Sequence, residues 1–210
     1  MKSKKILSIV LIVGLLLIDQ IVKIAVKTNM TLGESIQIFD WFRIVFVENP
    51  GMAFGMSLGS KWILTSFRII VSAAVAYYLY KLVKLNYKTS FIIVICMVFA
   101  GAVGNIIDCV FYGKIFSESN FFEVATLFPG DGGYAPVLMG RVVDMFYFPL
   151  FVFPDWVPML GGEVFFSPVF NVADICITVS MFALVLFFRK ELNESMDLCF
   201  PKREKKDEQA

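Results

Sequence analysis

The sequence predicts an all-α integral membrane protein, a four-transmembrane-helix bundle with a small strand-like platform on its extracytoplasmic face. Three observations lead there. Of 210 residues, 58% are apolar, with a mean hydropathy of +0.75, well above a soluble domain. Four apolar runs, 6–26, 63–83, 91–111 and 169–188, are each 20 or 21 residues long. As helices each would be roughly 30 Å long, the thickness of a bilayer core. Finally, the basic residues gather on one side of those runs.

The first run follows Lys2, Lys4 and Lys5. It is expected to be a permanent span rather than a cleaved signal peptide, because the apolar stretch is long and no small-x-small site precedes Lys27. Segment 36–47 is rich in β-branched and aromatic residues and reads as strand. Asn49-Pro50-Gly51 then places Pro and Gly as in a type II turn, so the chain is expected to fold back into Met52–Met56. Such a platform suits main-chain pairing with an extended peptide; a hairpin packing its aromatics into the headgroup zone fits the same residues. Spans 63–83 and 91–111 follow. Segment 114–139 is acidic and aromatic, with a turn cluster at Pro129-Gly130-Asp131-Gly132-Gly133. Segment 147–166 repeats the aromatic and proline texture, as interfacial segments do. After span 169–188, the tail 191–210 is polar, mixed in charge and expected to fray.

Twelve of the 19 basic residues lie at the N-terminus, at the turn joining the second and third spans (Lys81, Lys84 and Lys88), or after the fourth span. The two longer loops, 27–62 and 112–168, hold only Lys27, Arg43, Lys61, Lys114 and Arg141. The positive-inside rule therefore predicts both termini in the cytoplasm and both long loops outside. With charges partitioned by topology, the net charge of +1 gives no reason to expect nucleic acid.

There is no histidine, which excludes Ser-His-Asp triads, Cys–His nucleophiles and His-based zinc sites. Cys96, Cys109, Cys176 and Cys199 lie in spans or the tail and are expected to be apolar filler rather than disulfides. The remaining chemistry belongs to carboxylates. Asp19, Lys23, Arg68, Asp108 and Asp174 all fall within roughly 10 Å of the outer boundary. Intramembrane charge is costly and faces a bundle interior or wet cavity, so one depth implies one polar site. Asp19 and Lys23, i and i+4, are expected to form a structural ion pair. Asn105–Asp108 and Asn171–Asp174 are i, i+3 pairs sharing a helix face. Beside Gly101-Ala102-Val103-Gly104, the first reads as interhelical glue. The second does not, because Asp144, outside any span, supplies a partner carboxylate. Two such groups can share one proton and activate water.

These residues resemble the lipoprotein signal peptidase (signal peptidase II) family. The resemblance rests on Asp19-Gln20-x-x-Lys23, Glu48-Asn49-Pro50-Gly51-x-Ala53-Phe54-Gly55 and Gly101-Ala102-x-Gly104-Asn105-x-x-Asp108, then on Val142-Val143-Asp144 and Phe170-Asn171-Val172-Ala173-Asp174. It implies one membrane-embedded peptidase domain, 1–190, with a β-cradle on the outer face. It further implies an aspartyl dyad of Asp144 and Asp174, a substrate pocket touching Asn49, Gly51, Asn105, Asp108 and Asn171, and no metal or organic cofactor. The implied substrate is a prolipoprotein whose cysteine carries diacylglyceryl, cut on the amino side of that cysteine at the outer surface of the bacterial cytoplasmic (inner) membrane. Its expected partners are thus that substrate and membrane lipid, with the enzyme a monomer. Two departures stand out. Members usually carry arginine where this chain has Cys109, a role Arg141 or Arg68 is expected to fill. They also run almost directly from Gly113 to the Asp144 motif, whereas this chain inserts 114–139; a longer surface loop costs little, so its removal is expected to spare cleavage. A proton- or ion-coupled carrier would also use intramembrane carboxylates, but four spans with no inverted repeat argue against one.

Overall fold

The computed structural model describes residues 2–50 and 61–201. Three helices in it are long and apolar enough to cross a membrane: α1 (Lys2–Asn29), α2 (Lys61–Lys84), and α3 (Thr89–Ile107) with its continuation to Ile115. Each extends beyond its apolar run because flanking polar residues continue the helix into the interface. The continuation of α3 is a π-helical turn, Asp108–Tyr112, and a last turn, Gly113–Ile115. Then come α4 (Val172–Phe187) and α5 (Arg189–Cys199), which meet at 94°.

Helix α3 is the axis of the bundle, with α1, α2 and α4 packed around it. Its glycines make this possible. A Cβ on Gly101 would lie 2.5 Å from the Ala173 carbonyl, and one on Gly104 would lie 2.7 Å from Asp19 Oδ2. One apolar cluster (Leu79, Leu82, Phe91, Ile95, Leu184) fills the end of the bundle near the α2–α3 turn. A second (Val26, Phe46, Tyr112, Phe116, Val143, Met145) joins α1 to the sheet at the other end. All four cysteines are free and buried.

The sheet is antiparallel, in the order β1 (Ser35–Phe39), β2 (Phe42–Asn49), β3 (Val142–Tyr147), then β6 (Val169–Phe170). A separate hairpin pairs β4 (Phe151–Val152) with β5 (Val164–Phe165). Segment 36–47 is therefore two strands rather than one: the chain reverses at Asp40-Trp41, where Gln37 donates to the Asp40 carboxylate at 3.0 Å. The turn expected after Asn49, with Gly51 and Met52–Met56, lies outside the described residues.

Two further expectations change. The run 169–188 opens as strand, and its helix begins only at Val172, because Val169 and Phe170 pair with Tyr147 and Phe146. Residues 191–199, expected to fray, belong to α5, held by Lys88–Glu191 at 2.9 Å, Tyr78–Ser195 at 2.5 Å and Lys81 donating to the Cys199 carbonyl. Segment 114–139 is no loose surface loop. Leu32 donates to Asn120 O, Tyr134 to Phe116 O and Ala135 to Gly113 O, while Phe116, Ser119 and Ala125 are buried. It closes one end of the bundle.

Candidate active site

Strand pairing brings the two aspartates together. The register Phe146↔Phe170, continued two residues, sets Asp144 opposite Val172, in the first turn of α4. Asn171 is the N-cap of that helix. Its side chain accepts from the Asp174 N–H at 2.9 Å, and the Asp174 carboxylate accepts from the Asn171 N–H at 3.2 Å, a reciprocal capping box. The cap thus fixes the direction of both side chains. Asn171 Nδ2 also donates to Asp144 Oδ1 at 2.7 Å, so one asparagine touches both carboxylates.

Asn105, from α3, completes the group. Its Nδ2 donates to Asp174 Oδ1 at 2.9 Å, while its Oδ1 accepts from Lys23 Nζ at 2.9 Å and from Asn171 Nδ2 at 3.1 Å. The Asn49 side chain hydrogen-bonds Asp144 from β2. Asp144 is only 3% exposed. Burial, reinforced by the nearby charge of Asp174, pushes its carboxyl up to about 7. A buried acid that keeps its proton near neutrality beside a second carboxylate is equipped for acid–base work on a water molecule.

Asp108 stands apart from this wall. It is fully buried, with Oδ2 at 2.8 Å from Lys23 Nζ and accepting from Val143 N, and Oδ1 accepting from Gln20 at 3.0 Å. The expected Asp19–Lys23 pair forms at 3.0 Å but is one half of a three-residue cluster, Lys23 lying between two aspartates. Arg141 is likewise committed elsewhere. Its guanidinium pairs with Glu48 at 2.9 Å and Glu118 at 3.1 Å and lies over the Tyr134 ring. Of the two arginines expected to compensate for Cys109, Arg68 reaches it, donating to Sγ at 3.6 Å. No group of three or more His, Cys, Asp or Glu suited to a metal ion occurs among the described residues.

Sequence reasoning missed Lys27. Its fully buried ammonium pairs with Glu48 and donates to Ser119 Oγ at 2.7 Å inside a cage of Phe46, Phe116 and Tyr134 rings. The available signal was spacing: Asp19, Lys23 and Lys27 fall four apart on one face of α1.

Below the carboxylates, Asp174 borders an apolar groove of about 410 Å³ lined by Phe166, Pro168, Phe170, Ile175 and Val179. A solved bacterial membrane enzyme, determined in meso at 1.9 Å, is similar, with a TM-score of 0.58 and 25% identity, over 85% of this chain and 90% of that one. A second, determined in meso at 2.3 Å, shares the fold at a TM-score of 0.60 and 22% identity, over 95% of this chain and 94% of that one. A lipoprotein signal peptidase of Porphyromonas gingivalis is 50% identical over 192 residues, 89% of this chain and 84% of the relative. One of Amoebophilus asiaticus is 34% identical over 84% of this chain and 75% of the relative. The family described as Signal peptidase (SPase) II matches residues 11–189, and with that span of the sequence matched the chain belongs to the signal peptidase II family.

Proposed function

We propose that the protein removes signal peptides from diacylglyceryl-modified prolipoproteins as a membrane aspartic endopeptidase, cutting on the amino side of the lipidated cysteine. The observation carrying this reading is the Asn171 bridge between Asp144 and Asp174. The aspartate whose carboxyl stays protonated to about 7 is Asp144, which makes it the proton donor. Asp174 accepts N–H bonds at both oxygens at the N-terminus of α4, which fixes its side chain in position to act as the base. Asp174 takes a proton from water, and the hydroxide adds to the scissile carbonyl carbon as Asp144 gives its proton to the carbonyl oxygen. The tetrahedral diol then collapses. Its carbon–nitrogen bond breaks, the proton on Asp174 passes to the leaving amine of the cysteine, and a diol hydroxyl returns a proton to Asp144.

The membrane setting belongs to the same proposal. Helices α1, α2, α3 and α4 are the four crossings, α5 lies along the cytoplasmic surface, and the sheet forms a cradle on the outer face. Both termini are then cytoplasmic, in line with the positive-inside reading of the lysine distribution. The groove beside Asp174 takes apolar parts of the substrate, its acyl chains or signal helix. Asn49, Asn105 and Asn171 hold the carboxylates, and Arg141 belongs to the rim.

Cleavage of a lipidated prolipoprotein by wild type, Asp144→Asn and Asp174→Asn in detergent tests the reading. Each variant should lose about 10³-fold or more in kcat while remaining folded and membrane-inserted. Near wild-type cleavage by either variant would overturn the dyad.

A further inference from the structure

A second apolar groove, of about 650 Å³, runs between α1 and α2 at the end of the bundle away from Asp144 and Asp174. Its size is that of a small-molecule pocket. It exists because α1 and α2 each pack on α3 and leave a gap between themselves, floored by Phe99. Helical spacing gives each wall one face: Lys2, Lys5, Ile9 and Ile12 from α1, and Ala76, Tyr80, Val83 and Lys84 from α2. Three lysines thus line a groove whose other walls are mostly apolar side chains.

Those lysines differ from their neighbours. Lys4 is tied to the Asn86 and Tyr87 carbonyls and Lys88 to Glu191, both closing helix junctions. Among the described residues, Lys2, Lys5 and Lys84 form no ion pair, and no carboxylate lines the groove. Three uncompensated cations over an apolar slot complement one ligand chemistry, a phosphate with an acyl chain attached. The positive-inside distribution puts this end at the cytoplasmic leaflet, where anionic lipids are found.

We propose that this groove is a selective site for one anionic phospholipid, its phosphate held among Lys2, Lys5 and Lys84 and its acyl chain against Ile9, Ile12, Ala76 and Phe99. The site is independent of the cleavage reaction. Unselective boundary lipid would occupy the same surface without regard to headgroup charge, which makes headgroup preference the discriminating quantity.

Native mass spectrometry of the full-length protein in detergent, titrated with dioleoyl phosphatidylglycerol or dioleoyl phosphatidylcholine, measures it. Phosphatidylglycerol should bind at least about 10-fold more tightly, since each lysine near a headgroup contributes about 5-fold. Lys5→Gln with Lys84→Gln should remove most of that preference and leave phosphatidylcholine binding unchanged; Lys4, Lys81 and Lys88 remain to fix the topology. Ala76→Phe, with every lysine kept, should fill the slot and weaken phosphatidylglycerol binding about 10-fold. Equal binding of the two lipids would overturn the proposal. So would a preference surviving the lysine substitutions, undiminished binding to Ala76→Phe, or displacement of the lipid by millimolar inorganic phosphate.

Discussion

Asn105 hydrogen-bonds three partners from two other helices, accepting from Lys23 on α1 and from Asn171 at the cap of α4 while donating to Asp174 in the first turn of α4. An aliphatic side chain of similar size can do none of this, and it would leave the Lys23 ammonium and the Asp174 carboxylate each one partner short. Asn105→Leu is therefore expected to lower kcat about 10²-fold, the usual cost of a reacting group displaced by about an ångström; single-turnover cleavage by the purified variant is the check. Asp144 gives a pH signature. Its carboxyl is raised in the folded state to about 7, so its protonated form is stabilised by folding. That contribution is complete below the ordinary carboxylate range and is lost as pH rises through about 7. Asp144→Asn imitates the protonated acid at every pH. Its melting temperature should match wild type below about pH 4, and the gap should widen to several degrees as pH rises to about 7 and stay constant above it. A gap that stays constant from pH 5 to 8 would mean the carboxyl is not raised. The i, i+3 spacings of Asn105–Asp108 and Asn171–Asp174 were readable in the chain, and so was Asp144 as a partner for Asp174. That Asn105 turns toward Asp174 rather than Asp108 was not, because the choice depends on where α4 docks against Gly101 and Gly104.

At the scale of elements, β3 matters most. It lies between β2 and β6, and its pairing with the two residues preceding Asn171 sets where the carboxylates meet. Spans could be read from hydropathy because burial in lipid imposes a length. A two-residue strand running into a helix cap carries no such signal, so Val169 and Phe170 were counted as helix. Segment 36–47 announced strand by composition, yet its reversal at Asp40-Trp41 lacks the Gly or Asn that usually marks a hairpin turn. Segment 114–139 looked dispensable because surface loops lengthen at little cost. Its contacts say otherwise. Ser119 bridges Lys27 and Glu48, Glu118 pairs with Arg141, and Phe116 and Tyr134 wall in the Lys27 ammonium. Deleting 117–137 would strip Lys27 and Glu48 of these neighbours and open the second apolar cluster. The deletion is expected to lower the melting temperature by about 10 °C or more, the equivalent of several kcal/mol in a chain of this size. Thermal unfolding in detergent decides it, and an unchanged melting temperature would restore the loop reading.

For the whole molecule, the Asp19–Lys23–Asp108 cluster is the tie that holds helices and sheet in one arrangement. Asp19 Oδ1 accepts from Ala173 N at the start of α4, Asp108 Oδ2 accepts from Val143 N in β3, and Lys23 is fully buried between the two carboxylates. Gln20 reinforces it by donating to both aspartates and accepting from Tyr112. The depth at which these charges cluster was evident from the chain, since each lies near the same end of its span; that Lys23 serves two aspartates was not, because only α1–α3 packing brings Asp108 to it. Removing one member of a buried ion group costs about 3–5 kcal/mol, mostly through the charge left unpaired. Lys23→Leu leaves two carboxylates confronting each other, so its melting temperature should fall by roughly 6–20 °C. Adding Asp108→Leu removes one orphaned charge and should recover part of that loss, making the double variant more stable than Lys23→Leu alone. Additive destabilisation of the two substitutions would mean that the cluster does not act as a unit. Recovery would show that this part of the interior is held by charge neutrality around Lys23, with the Ala173 and Val143 amides fixing where the neutralised group sits relative to Asp144 and Asp174.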